Sequence, residues 1–244
     1  MTSNQEKTLE KLNKNIIIVL IKKLDEYLIN FYKNFKEKYN IEIFLISDSD
    51  IETCKFYKDN LCIDNKIRDL TLLFRKKTTA WDRAIYFLKT QNVNYNFAWI
   101  IEDDVYIKKI EYLHNIIKKY NKENYDLISS YINSYEEFES WPHWNLLENH
   151  NFKKKYYSFN CFCRVSKNLI KYSCNYMEEN FSKNIIFFHE ILFINVCIDN
   201  NLKYITFKKN DDLFIRYTPE IQELDLNKNF KIYHPVKDSK LKKL

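Results

Sequence analysis

Glycine is absent from all 244 residues. Average usage of roughly 7% predicts about 17 in a chain of this length. A chain with none cannot build the Gly-rich phosphate loop of P-loop enzymes, the G-x-G-x-x-G dinucleotide fingerprint, the kinase glycine loop or the glycine-flanked nucleophile elbow of α/β hydrolases. Asn, Lys, Ile, Tyr and Phe are abundant instead. That is the bias expected of a viral or microbial coding sequence rich in A and T, and the exclusion holds whatever its origin.

Long apolar runs are missing as well. The longest early one, Ile16 to Ile21, has six residues, against about 20 for a membrane-spanning helix. Residues 1–14, MTSNQEKTLEKLNK, lack the apolar core and small-residue cleavage site of a secretory signal. The chain as read is therefore expected to be soluble and cytoplasmic, with no transmembrane segment, and a larger precursor is left open. Cys54, Cys62, Cys161, Cys163, Cys174 and Cys197 form no C-x-x-C pair, and several sit in apolar patterns. They read as reduced, buried thiols in place of disulfides or zinc ligands. Internal repeats and Pro- or Ser-rich linkers are absent, so residues 1–244 read as a single domain with flexible tails at 1–14 and 238–244.

What is present suits a packed core. Hydrophobic residues make up 45% and aromatic residues 17%, enough to bury large areas in a chain of this length. The net charge of +6 comes from 39 basic and 33 acidic residues that are interspersed. Such a balance suits an anionic ligand and does not describe a nucleic-acid groove.

Ile16 to Ile21 has the continuous apolar character of a buried parallel strand, and Leu24, Leu28, Phe31 and Phe35 follow at helical spacing. Ile41 to Ile46 is a second strand, completing a β-α-β start that implies a right-handed crossover. Residues 51–78 show no clear period and read as a variable loop region. From Thr79 a helix is predicted with Trp81, Ala84, Ile85 and Leu88 on its apolar face and Asp82 and Arg83 off it. Phe97 to Ile101 is a third buried strand, followed by a helix on Ile110, Leu113, Ile117 and Tyr120 and a strand near Leu127 to Ile132. Phe159, Cys161, Cys163 and Val165 alternate as one strand, with Ser166 placed to cap the next helix. Ile185 to Ile198 reads as a buried helix interrupted by His189 and Glu190, and Lys203 to Phe207 as a last strand.

Three consecutive carboxylates, Glu102, Asp103 and Asp104, directly follow the third strand. Alternation along a strand points Glu102 and Asp104 one way and Asp103 the other unless the chain turns. Carboxyl ends of strands in open α/β sheets are where ligands bind. Three negative charges beside a buried strand call for a compensating cation, and a hard divalent ion with oxygen ligands supplies one that can also hold a diphosphate. A solvated acidic turn capping the next helix is the alternative.

The stretch FAWIIEDDVYI, residues 97–107, resembles the acidic metal-binding motif of GT-A fold glycosyltransferases, with Glu102 in place of the motif's first Asp. The resemblance implies an α/β architecture of GT-A type: a nucleotide-binding, Rossmann-like mixed sheet flanked by helices. It implies Mn2+ or Mg2+ as cofactor and a nucleotide-sugar donor, with UDP the expected nucleotide. It also implies hexosyl or N-acetylhexosaminyl transfer to a glycan, protein or small-molecule acceptor. Asp104 then ligates the metal, Glu102 lies near the ribose, and Asp103 belongs to the donor-binding turn.

Further segments follow in the order such a family places them. Asp48 at the end of the second strand is a nucleobase contact or an ordinary Asp turn. In KKTTAWDRAIYFLK, residues 76–89, Asp82 or Arg83 approaches the nucleotide, although Thr79 and Asp82 also have capping-box spacing. In FFHEILFINVCIDN, residues 187–200, Glu190 takes the place of the catalytic base of inverting members. An acid among apolar residues has its pKa raised toward a useful value, while a first-turn Glu favoured by the helix dipole is the plain alternative. His189 reads as structural. Near the C-terminus, His234 corresponds to a third metal ligand and Lys237 to a diphosphate contact, or both belong to a basic tail. Trp141, His143 and Trp144 are either sugar-stacking faces or surface packing. Two other functions stay open at this level: a metal-dependent nucleotidyltransferase or phosphodiesterase, and a non-catalytic carbohydrate-binding module.

Overall fold

A computed structural model describes residues 15–22, 25–47, 79–180, 183, 185–238 and 240–243. The expectations placed on residues 1–14, Leu24, Asp48, the 51–78 loop region, Cys54 and Cys62 lie outside the described residues.

Strand β1 (Asn15–Ile21) is buried along its whole length. It pairs in parallel with β2 (Glu42–Ser47) on one side and β3 (Phe97–Glu102) on the other, with Ile17 level with Ile43 and Trp99. A strand covered on both faces needs apolar residues at every position, which the six-residue run supplies. The sheet continues through β8 (Phe162–Ser166), β5 (Leu127–Ser129) and β9 (Tyr204–Thr206) in the order β2-β1-β3-β8-β5-β9. Strand β8 runs antiparallel to both its neighbours, which makes the sheet mixed.

Alternate residues of β1 face two helical layers. Ile16, Ile18 and Leu20 pack with α2 (Ala80–Thr90), α4 (Lys167–Glu179) and α5 (His189–Asp199). Ile17, Val19 and Ile21 pack with α1 (Glu26–Tyr39) and α3 (Ile110–Tyr120). The result is a six-stranded mixed sheet flanked by helices, the α/β class expected from the sequence. Asp25 caps α1 by accepting from the Leu28 N–H at 2.8 Å, and Ser166 caps α4 by accepting from the Leu169 N–H at 3.0 Å. The left-handed backbone positions that glycine would ordinarily take fall to Asn40, Asn201 and Asp212 among the described residues.

Two small sheets complete the fold. One joins β10 (Leu213–Ile215), β11 (Ile232–His234) and β4 (Tyr106–Ile107), and the other pairs β6 (Tyr131–Ser134) with β7 (Tyr156–Phe159).

Several boundaries differ from the sequence reading. The 127–132 stretch divides into β5 and β6 because the chain leaves the main sheet at Ser130. The 159–165 alternation likewise divides, Phe159 ending β7 and Phe162 opening β8. Helix α5 begins only at His189, behind an irregular Ile185–Phe188 in which the Phe188 N–H donates to the Ile186 carbonyl at 2.9 Å. Helix α2 is buried nearly all round, so Asp82 and Arg83, placed off its apolar face, are enclosed. In the stretch read as a C-terminal tail, Leu241–Lys243 forms a short 3-10 turn and Lys242 is buried. The free thiols of Cys161, Cys163, Cys174 and Cys197 are all buried, as expected.

Candidate functional site

Strands β1 and β3 end level with one another, Leu20 beside Glu102. Beyond them the chain turns, the Val105 N–H donating to the Glu102 carbonyl at 3.1 Å. The turn sorts the three acids. The Asp103 carboxylate accepts from the Lys22 N–H at 2.7 Å, just past β1. Glu102 and Asp104 instead converge on His234, which β11 delivers because it pairs with β4, the strand that follows the acidic turn. The Nε2 atom of His234 lies 3.1 Å from Asp104 Oδ1 and 3.6 Å from Glu102 Oε2. One ligand atom from each of the three residues falls within 4.8 Å of the others.

Surrounding groups fix these side chains. His234 Nδ1 is 3.0 Å from the Arg216 carbonyl. A carbonyl only accepts, so Nδ1 carries the hydrogen and Nε2 faces the carboxylates. The Trp81 indole donates to Glu102 Oε1 at 2.8 Å, and its ring stacks on His189 at 3.8 Å and 7°. His189 thus packs face to face against Trp81.

The acids and the imidazole stabilise one another's charged forms. Burial pushes the Asp104 carboxyl up, but the His234 contact, with Lys237 and Lys242 nearby, outweighs it and leaves the carboxyl below its usual range. Burial opposes charge on His234, yet Cys161, Asp104 and Glu102 raise its imidazole well above the ordinary value. Burial pushes the Cys161 thiol up to about 11, so it is neutral at pH 7 and the carboxylates supply the pull. Asp104 Oδ1 is buried with no donor aligned on it for a hydrogen bond, although His234 Nε2 is close. Two carboxylate oxygens, one of them short of a donor, and one imidazole nitrogen with its tautomer set from behind fit a divalent ion.

A cavity of about 530 Å³ opens against the acidic turn, within the size range of small-molecule sites. The ends of β1 and β3, the first turn of α2 at Thr79–Trp81, and Val236, Lys237 and Lys242 form its walls. Lys237 is largely exposed at the rim, with Nζ 3.3 Å from Glu220. Lys242 is buried and donates to the Asp103 carbonyl at 2.6 Å, with Asp25 Oδ2 at 3.4 Å.

Glu190, in the first turn of α5, is 3% exposed. Burial raises its pKa to about 8, with Glu102 adding to the rise and Tyr217 and His234 opposing it. The Tyr217 hydroxyl donates to Glu190 Oε2 at 2.5 Å. The Tyr217 ring stacks on Phe159 at 3.9 Å, and Phe159 meets His234 edge-on at 5.4 Å. Glu190 and the acid-histidine cluster are thus linked through the stacked rings of Tyr217 and Phe159.

Other residues singled out in the sequence lie elsewhere. The capping box is formed: Asp82 Oδ2 accepts from the Thr79 N–H at 2.8 Å and from its hydroxyl at 2.9 Å. Arg83 donates to the Ser47 carbonyl at the end of β2. Neither side chain is part of the cavity wall. Trp141 and Trp144 are buried, Trp141 against Tyr157 at 4.5 Å and 10°, which gives them a packing role; His143 is exposed. Sequence reasoning missed Lys22, Trp81, Tyr217 and Lys242 as parts of the site. Only Lys242 had a signal, the late cluster of lysines.

No protein-family model matches the chain, and no curated protein matches its sequence. Among solved structures it is similar to core-mannan synthase A from Aspergillus fumigatus in its Mn/GDP form. The two share 11% identity over 80% of this chain and 72% of that one, with a TM-score of 0.44. No described helix is long and apolar enough to cross a membrane.

Proposed function

We propose that the chain is a divalent-metal-dependent glycosyltransferase that moves a sugar from a nucleoside-diphosphate donor to an acceptor hydroxyl with inversion. The observation that carries this reading is the meeting of Glu102 and Asp104, which line a cavity large enough for a nucleotide, with His234 behind them. In it, these three residues hold Mn2+ or Mg2+, which when bound neutralises charge on the leaving diphosphate. Asp103 keeps the acidic turn against Lys22, while Lys237 and Lys242 supply positive charge for phosphate oxygens. UDP is the nucleotide the sequence resemblance favours, with hexose or N-acetylhexosamine as the sugar.

Glu190 is the base. The acceptor oxygen bonds to the anomeric carbon, and that carbon's bond to the diphosphate oxygen breaks with its electron pair on the nucleotide. The hydroxyl proton passes to Glu190. A pKa of about 8 suits a group that must accept a proton near neutrality. Nucleotidyl transfer through two metals calls for a second cluster of ligands, and the described residues hold one.

A thermal-shift panel of UDP and GDP, with and without Mn2+, tests the reading. A ligand bound only by the folded state raises the melting temperature with the logarithm of its saturation. Stabilisation that needs both metal and one nucleotide, and that is lost in Asp104→Ala, is the expected result. Equal shifts in wild type and Asp104→Ala overturn it.

A further inference from the structure

Strand β10 ends at Ile215, and the next two residues reach two different parts of the site. The Arg216 carbonyl accepts from His234 Nδ1, and the Arg216 N–H donates to the His234 carbonyl at 3.1 Å. Tyr217, its neighbour, donates to Glu190. The Trp141 indole N–H points at the same tyrosine hydroxyl from 3.3 Å. An indole N–H can only donate, so it occupies one lone pair of the hydroxyl, whose proton is directed at Glu190. The Phe159 stack holds the ring. Trp141 and Phe159, from separate parts of the chain, thus hold the Tyr217 hydroxyl on Glu190.

We propose that Tyr217 is a positioning residue for Glu190. It ties down Oε2, leaves Oε1 as the oxygen that receives the acceptor proton, and, through its peptide link to Arg216, fixes Glu190 relative to His234. The proposal rests on the reading of Glu190 as the base. It assigns a function to a residue that shows no motif and is 41% exposed. An exposed tyrosine with a hydroxyl directed inward onto a buried carboxylate is an arrangement that surface packing alone does not require.

The groups facing Glu190 are Tyr217 from the segment after β10, Tyr157 from β7, Glu102 from β3 and His234 from β11, with Trp141 acting through Tyr217. Tyr217→Phe removes one of these contributions and keeps the stacked ring. The test is an NMR titration of the full chain labelled with 13C at glutamate carboxyls, the Glu190 signal being assigned by its loss in Glu190→Gln. Loss of a donor to the carboxylate should raise the Glu190 midpoint in Tyr217→Phe by about one to two pH units, the equivalent of one hydrogen bond to a charged group. Placing 3-fluorotyrosine at position 217 gives a more acidic donor in the same fold and should lower the midpoint. It keeps the test available if Tyr217→Phe fails to fold. A midpoint unmoved by either replacement overturns the proposal. Sugar transfer by Glu190→Gln overturns the base reading instead, so the two failures are distinguishable.

Discussion

The imidazole of His234 lies 3.1 Å from the carboxylate of Asp104, although one closes β11 in the small sheet and the other sits in the turn that leaves the main sheet. The antiparallel pairing of β4 with β11 makes this meeting possible, because β4 begins two residues after Asp104. The same short pairing secures the turn, the Val236 N–H donating to the Asp104 carbonyl at 2.8 Å.

Removing the imidazole should therefore dismantle the metal site and spare the sheet. His234→Ala is expected to lower Mn2+ affinity by about 100-fold, the upper end of what losing even an outer-shell partner costs. Isothermal titration with Mn2+ alone measures it, and an unchanged affinity removes His234 from the ligand set.

Trp81 reaches the same cluster from α2 and holds Glu102 by one hydrogen bond. Trp81→Phe keeps an aromatic ring against His189 and loses that bond. Mn2+ affinity should fall by about tenfold, less than for a ligand itself. A loss as large as that of His234→Ala would mean that Trp81 supports the fold of the whole site.

Glu190 makes stability depend on pH. Its pKa is about 8 in the folded chain against an ordinary value of 4.5. Between those values the native state holds a proton that the unfolded state has released, so stability falls as pH rises through this window. Glu190→Gln cannot release that proton. Its melting temperature relative to wild type should climb from pH 5 to pH 9, and parallel curves for the two proteins would show that Glu190 ionises normally.

Asp82 tests the other side of the nucleotide reading. Its carboxylate closes the capping box with Thr79 and lies outside the cavity wall. Asp82→Ala should cost about 1 kcal/mol in urea unfolding and leave the Mn2+-dependent UDP or GDP shift unchanged. Loss of that shift in a folded variant would return Asp82 to the nucleotide site.

The framework was legible because short-range chemistry determines it. The apolar run at Ile16 can be satisfied only in a strand buried on both faces, and Ser166 caps a helix wherever that helix packs. Thr79 and Asp82 form their box within one turn. The acidic turn could be located for a similar reason, since three consecutive carboxylates directly after a buried strand stand out in the sequence itself. Absent glycine excluded four ways of wrapping a backbone around phosphate.

What remained out of reach was every relationship between distant segments. Sequence spacing offers no sign that Trp81 turns its indole to Glu102, that Tyr217 ends on Glu190, or that Lys242 is buried beneath Asp103. Strands β4, β10 and β11 have two or three residues each, too few for any period to register. They exist because they pair with one another, and tertiary pairing alone brings His234 to the carboxylates it serves.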